Sequence, residues 1–187
     1  MRIFVSVELP ATVRDSVERE VLAALRPTFP RAKWVSPDAL HVTLRFLGEQ
    51  TPAFAERLAE ELGGIADSAP PVPLTLGGVG GFPTLMRPRV VWLGVASPGL
   101  APLRQRVESA CQRVGAPPDA RPFHPHLTLA RLRDGDAPRS RPALAAASER
   151  LAFNATIITH SLHLMQSELT PQGARYTALA VLPLGGG

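Results

Sequence analysis

Apolar and polar positions alternate over residues 2–8, with Ile3, Val5 and Val7 on one side and Phe4, Ser6 and Glu8 on the other. That period of two predicts a strand. The period then changes: Val13, Val17, Val21 and Leu25 recur every four residues, which predicts an amphipathic helix over 11–25, stopped by Pro27 and Pro30. Trp34 and Val35 read as extended chain, and Ser36-Pro37-Asp38 as a turn into a strand that starts at His41. A second helix is expected over 52–62, burying Phe54, Leu58 and Leu62, with Ile65 beyond and Gly63-Gly64 as its end. Val72, Leu74 and Leu76 open the next strand. The glycine-rich stretch 77–83 lacks the Gly-Lys-Ser/Thr ending of a nucleotide loop and reads as a bulge and turn.

The second part of the chain repeats this order. Residues 89–95 are nearly pure strand formers, and 101–114 form a helix with Leu103, Val107, Cys111 and Val114 on one stripe. A proline-rich approach, 115–125, leads into a strand from His126. Residues 135–141 read as an exposed, mobile loop, 142–151 as a weak helix, 155–168 as one long, bulged strand, 171–173 as a turn, 176–182 as the last strand, and the glycine-rich end as a disordered tail. Each half runs strand, helix, histidine strand, helix, strand, a degenerate internal duplication. The expected fold class is α+β: a single bilobal domain over 1–187, with two pseudosymmetric lobes, each an antiparallel sheet with outer helices, around a central cleft.

The duplication is sharpest at His41-Val42-Thr43-Leu44-Arg45-Phe46-Leu47 and His126-Leu127-Thr128-Leu129-Ala130-Arg131-Leu132. Side chains alternate faces along a strand, so His41 shares a face with Thr43, and His126 with Thr128, while Val42, Leu44, Leu127 and Leu129 back them with apolar surface. Two such strands converging offer two proton-transfer groups and two hydroxyl donors, a set suited to an anionic phosphate without a metal. Strict alternation sends Arg131 away from His126 unless a bulge intervenes, and favours Arg45, in register with His41 and Thr43.

Composition changes this picture little. At 187 residues with 45% hydrophobic content the chain can bury a core, and its formal charge is only +4. Every basic residue except Lys33 is arginine, which suits bidentate grips on phosphate but also occurs for compositional reasons. Cys111 is the single cysteine, so no internal disulfide framework exists, and its place on an apolar stripe predicts inert packing. No apolar run reaches membrane-spanning length and the opening residues do not form a signal peptide, so a cytoplasmic protein without membrane contact is expected. His124-Pro125-His126 lacks an accompanying carboxylate cluster, and His160 with His163 lies elsewhere, so no metal is expected. Trp34 and Phe46 are assigned to the core by default, although either ring could stack on a base.

The paired His-x-Thr-Leu motifs resemble the two signatures of the 2H phosphoesterase superfamily. The resemblance extends through the opening residues 2–10, Trp34 to Gly48, Pro122 to Arg131, and Ser167 to Tyr176, and points to the bacterial and archaeal RNA 2′,3′-cyclic phosphodiesterase branch, also named 2′-5′ RNA ligase. It implies a metal- and cofactor-independent enzyme that opens 2′,3′-cyclic phosphates at RNA ends to 2′-phosphomonoesters. It makes His41 the proton donor, His126 the proton acceptor, Thr43 and Thr128 the holders of the non-bridging oxygens, and Arg131 a phosphate or backbone ligand, with Arg45 the geometric rival. The partner implied is an RNA or oligonucleotide with a cyclic phosphate end, acted on by a monomer. Two other readings stay open: 2′-5′ RNA ligation by the same site, and a non-catalytic RNA- or nucleotide-binding module, against which the intact pair of histidines and threonines counts.

Overall fold

The period-two segments become strands that all join one antiparallel sheet: β1 (Arg2–Glu8), β2 (Lys33–Trp34), β3 (His41–Glu49), β4 (Val72–Phe82), β5 (Val90–Ala96), β6 (His126–Arg131), β7 (Asn154–Thr159), β8 (Ser161–Thr170) and β9 (Gly173–Pro183). The computed structural model describes residues 1–85, 88–133, 137–170 and 173–185, and side chains outside 137–143. The strand order is β7-β4-β5-β6-β3-β1-β8-β9, with β2 added against β6. Two halves of four strands meet where β3 pairs with β6, through the single register pair Val42↔Leu127. The two lobes therefore diverge from the point where the histidine strands start.

Helices cover one face of this sheet. Ile3, Val5, Val7, Val42, Leu44, Leu127 and Leu129 face a common core with Val17, Val21, Leu22 and Leu25, with Leu58 and Leu62 of α3 (Pro52–Ser68), and with Leu103 and Val107 of α4 (Leu100–Arg113). Complete burial of such side chains contributes roughly 1.5–3 kcal/mol each relative to leaving them in water. The opposite face carries the even-numbered residues of β1, Phe4, Ser6 and Glu8, and it is this face that holds the histidines.

Several elements differ from the sequence expectation for identifiable reasons. The first helix is α-helical over Ala11–Ser16 (α1), π-helical over Val17–Leu22, α-helical over Ala23–Leu25 (α2), and closes in a 3-10 turn at Arg26–Thr28. A strict four-residue repeat drifts around a helix of 3.6 residues per turn, and the wider π turn keeps Val17, Val21 and Leu25 on the core side. The second helix does not stop at Gly63-Gly64 but continues to Ser68, because Ile65 and Ala66 are buried and outweigh the helix-weakening glycines. It starts at Thr51, whose hydroxyl accepts from the Phe54 N–H at 3.1 Å.

The long strand expected over 155–168 is two strands broken at His160, and they lie in different halves: β7 pairs with β4, and β8 with β1. Likewise β4, which follows the first half's second helix, pairs with β5 rather than with β1 or β3. The halves exchange strands, so neither half of the sheet is built from contiguous sequence. The helix expected over 142–151 is α5 (Ala137–Arg150), which takes in residues 137–141 of the expected loop. The rest of that loop at 135–136, the turn at 171–172 and the final two glycines lie outside the described residues.

Candidate active site

His41 and His126 each occupy the first position of a strand at the junction of the two halves. Extending the antiparallel register from Val42↔Leu127 by one residue in either direction sets His41 across from Thr128 and Thr43 across from His126. All four are half-buried, whereas Val42, Leu44, Leu127 and Leu129 beneath them are buried. The sheet thus presents two imidazoles and two hydroxyls as a crossed square on one face.

Both rings are held in the same way. His41 Nδ1 lies 2.8 Å from the carbonyl of Ala39, and His126 Nδ1 lies 2.6 Å from the carbonyl of His124. A carbonyl only accepts, so each Nδ1 carries the proton and each neutral ring keeps the lone pair on Nε2. The carbonyl sits two residues upstream in both halves, where the chain has not yet entered the strand. Each ring is also walled by aromatics. Phe4 stacks on His41 at 4.8 Å and Tyr176 meets it edge-on at 5.1 Å. Phe82 meets His126 edge-on at 4.9 Å, with Trp92 at 6.3 Å.

This enclosure sets the protonation of the free site. Burial lowers the His41 imidazole to a pKa of about 4; the Ala39 carbonyl opposes the shift, and the charge of His126 adds to it. Burial also lowers His126, with the His124 carbonyl opposing and the charges of His124 and Arg131 adding. The charge of His126 acting on His41, from the other half of the chain, reports the proximity of the two rings. Burial raises the Tyr176 hydroxyl, against the pull of Arg131 and Arg2.

The two arginines differ from the alternation argument, and a pair of bulges is the cause. On β6, Trp92 pairs with Thr128 but Val91 with Ala130, so Leu129 is the extra residue. Its neighbours then run half-buried, buried, half-buried, buried, buried, exposed from His126 to Arg131. The bulge returns Arg131 to the histidine face. The same irregularity occurs on β3, where Ser6 pairs with Thr43 and Val5 with Arg45, leaving Leu44 extra.

That bulge turns Arg45 to the helix side, where it is 6% exposed. There its Nε lies 2.8 Å from Glu108 and its Nη1 3.2 Å from Asp119, while Nη2 donates to the Pro117 carbonyl at 2.5 Å. Arg45 is fully committed to this cluster and does not face the cleft, which corrects its candidacy. Phe46 takes the position on β3 that Arg131 takes on β6. It is 45% exposed rather than core, and packs on Phe4 at 5.7 Å. Trp34 is half-buried against the core, donating to the Phe29 carbonyl at 3.2 Å.

Two cavities flank the square. One of about 550 Å³ lies on the His126 side, lined by Phe82, Trp92, His124, His126, Phe153 and Asn154 among others. A smaller one of about 180 Å³ brings Lys33, Trp34, Ser36 and Arg131 together with Tyr176. The sequence signalled neither Phe4, Tyr176, Phe82 nor Trp92 as neighbours of a histidine, because each comes from a strand whose pairing is long-range. Among the described residues no three of His, Cys, Asp and Glu gather as a metal site. Cys111 is fully buried, and burial pushes its thiol up to about 12, as inert packing requires. No helix among the described residues is long and apolar enough to cross a membrane.

Comparison with known proteins gives a consistent result. The model of the 2'-5' RNA ligase superfamily matches residues 13–171. A Methanothermobacter thermautotrophicus protein named RNA 2',3'-cyclic phosphodiesterase is 31% identical over 187 residues, covering 98% of this chain and 99% of its own. A Geobacillus stearothermophilus protein of the same name is 32% identical over 185 residues; the match covers 98% of this chain but 57% of that longer relative. Among solved structures, Escherichia coli LigT complexed with 3'-AMP superimposes with a TM-score of 0.75 at 32% identity, covering 98% of this chain and 97% of that one.

Proposed function

The chain belongs to the 2'-5' RNA ligase superfamily of two-histidine phosphoesterases, and from that membership we propose that it hydrolyses RNA 2′,3′-cyclic phosphate ends to 2′-phosphomonoesters. The observation that carries this reading is the matched pair of half-buried imidazoles at the junction, each fixed through Nδ1 so that Nε2 is the working nitrogen. The shared name of the relatives, and their coverage of this chain, support the substrate class.

In the proposed reaction, His126 Nε2 takes a proton from a water as its oxygen attacks phosphorus in line. The bond from phosphorus to the ribose 3′ oxygen breaks, and His41 Nε2–H supplies the proton that oxygen needs. Thr43 and Thr128 hydroxyls donate to the non-bridging oxygens, where charge accumulates, and Arg131 adds a cation on the same face. The protein's own groups suffice for every proton and charge in this scheme, with no cofactor. Both histidines come from one chain, which supports a bilobal unit working as a monomer. The single, inert cysteine and the RNA substrate fit a cytoplasmic setting. A turnover assay on a nucleoside 2′,3′-cyclic phosphate in the presence of EDTA tests the reading: the 2′-phosphomonoester is the expected product, and no turnover in any buffer overturns it.

The scheme requires a charged His41 that the free site disfavours, and the phosphate resolves this. Its negative charge acts on His41 in the direction opposite to burial, so binding raises the imidazole from about 4. A group whose pKa is higher in the complex adds to affinity below its free value, and the addition is lost as pH rises through the bound value. A nucleoside 2′-monophosphate is therefore expected to bind with uptake of a proton near neutrality, and to bind more weakly as pH rises. Calorimetry in two buffers of different ionisation enthalpy measures the uptake; binding without proton exchange in both refutes it. The turnover profile is expected to be bell-shaped, its acid limb set by His126.

A further inference from the structure

The two histidines take their carbonyls from differently built stretches of chain. Ala39, which receives His41 Nδ1–H, closes the 3-10 turn Pro37–Ala39, and local backbone bonds set it in place. The Ala39 N–H donates to the Ser36 carbonyl at 2.9 Å and the Leu40 N–H to the Pro37 carbonyl at 3.1 Å. His124, which receives His126 Nδ1–H, has no such turn around it. Residues 116–125, between α4 and β6, run without helix, strand or hydrogen-bonded turn, and Pro117, Pro118, Pro122 and Pro125 bring no N–H of their own.

The buried charge cluster on the helix face grips this segment instead. Arg45 Nη2 donates to the Pro117 carbonyl at 2.5 Å, and its Nη1 lies 3.2 Å from Asp119. The Asp119 N–H donates to Glu108 Oε1 at 2.9 Å, and the other Glu108 oxygen faces Arg45 Nε at 2.8 Å. Arg104 reaches Asp119 at 3.6 Å and covers the ring of Phe123, one residue before His124, at 5.6 Å. On the strand side, the Pro125 carbonyl accepts from the Val95 N–H at 3.2 Å. Held at 117, 119, 123 and 125 and stiffened by proline, the segment leaves the His124 carbonyl little freedom. Arg45 stands four residues after His41 on β3, and the Leu44 bulge is what turns it to this cluster. One side chain of the first histidine strand thus ties down the chain that sets the second histidine. Buried ion pairs are often no more stabilising than apolar side chains of the same volume, so the distinctive contribution of this cluster is geometric.

We propose that Arg45 and Asp119 are positioning residues for His126: they hold the 116–125 segment so that the His124 carbonyl meets Nδ1 and leaves Nε2 free to act. The inference rests on the reading of His126 as the base of the proposed hydrolysis. With the clamp loosened, the ring loses its fixed tautomer, and a fraction carries its proton on Nε2, where it cannot take one from water. The His124 carbonyl is also the group that opposes burial at His126, so its loss moves the imidazole further down. The base then stays neutral to lower pH, and the acid limb of turnover moves to lower pH with it. His41, His124 and Arg131, whose charges act with that of His126, are untouched by substitution in the cluster.

The experiment compares Asp119→Ala and Arg45→Lys with the wild type on adenosine 2′,3′-cyclic phosphate, activity being scaled to the fraction folded by circular dichroism. Lysine keeps the charge of Arg45 but cannot span Glu108, Asp119 and the Pro117 carbonyl at once. In both variants kcat is expected to fall about ten-fold, KM to stay within about two-fold, and the acid limb to move to lower pH. Asp119→Asn, which keeps an acceptor oxygen, is expected to recover most of the rate. Titration of the His126 Cε1–H resonance in the free protein is a readout without turnover: it should move to lower pH in Asp119→Ala while that of His41 stays. Unchanged kcat in both folded variants overturns the proposal. So does a loss of kcat with the His126 titration unmoved, or with both rings moved alike, as a general loosening of the sheet would do. If the wild type turns over no cyclic phosphate while the His126 titration moves as stated, the hydrolase reading fails and the positioning of the ring stands.

Discussion

Replacing either His41 or His126 by alanine is expected to lower kcat on a nucleoside 2′,3′-cyclic phosphate by about 10²–10⁴-fold, the usual worth of one positioned proton transfer. KM should change far less, because neither imidazole is the main electrostatic grip on the phosphate. The double variant should be little worse than the poorer single one, since groups that act as a unit are not additive. The fold should survive in all three. Val42, Leu44, Leu127 and Leu129 anchor the two strands from the opposite face and are untouched. Steady-state kinetics with a thermal melt on the same samples checks both halves of this expectation, and near wild-type turnover in the His41 variant would refute the assignment.

The second large effect separates the two arginines. Arg45→Ala should cost about 3 kcal/mol of stability, the lower end of what breaking a buried ion pair costs. It leaves Glu108 and Asp119 without the guanidinium between them. Asp119 retains Arg121 at 2.8 Å and Arg104 at 3.6 Å, which is why the loss is not larger. Whatever fraction is folded should keep its KM. Arg131→Ala should do the reverse: an unchanged melt, because the side chain is exposed, with KM raised about ten-fold through loss of a charged contact to phosphate. Urea unfolding and cyclic-nucleotide kinetics on both variants decide it. A weakened KM in Arg45→Ala at full folding would mean that the bulge on β3 does not turn it from the cleft.

How far the sequence carried these conclusions depends on the range of each interaction. The duplicated strands were legible because the period of two puts an imidazole and a hydroxyl on one face and valine or leucine on the other. The α+β class followed from the same patterns. The arginines were misjudged from alternation because a bulge is one extra residue, and Leu129 and Leu44 look like any strand leucine. The break at His160 left no mark either. The run from Asn154 to Thr170 contains strand formers and no glycine or proline, and only long-range pairing sends its two parts to different halves. Gly63-Gly64 gave a false stop because local propensity could not register the burial of Ile65 and Ala66. The aromatic walls of the site were silent for the reason that most of its surroundings were. Phe4, Tyr176, Phe82 and Trp92 reach the histidines across strands far apart in the chain.

The most direct measurement replaces the 3′ oxygen of the cyclic phosphate by sulfur, a leaving atom that departs without a proton. With this substrate the His41→Ala variant should recover most of the wild-type rate, while His126→Ala, which still must activate water, stays slow. Recovery of the His126 variant instead, or no recovery of either, would contradict the account of one imidazole from each half serving a single phosphorus as acid and base.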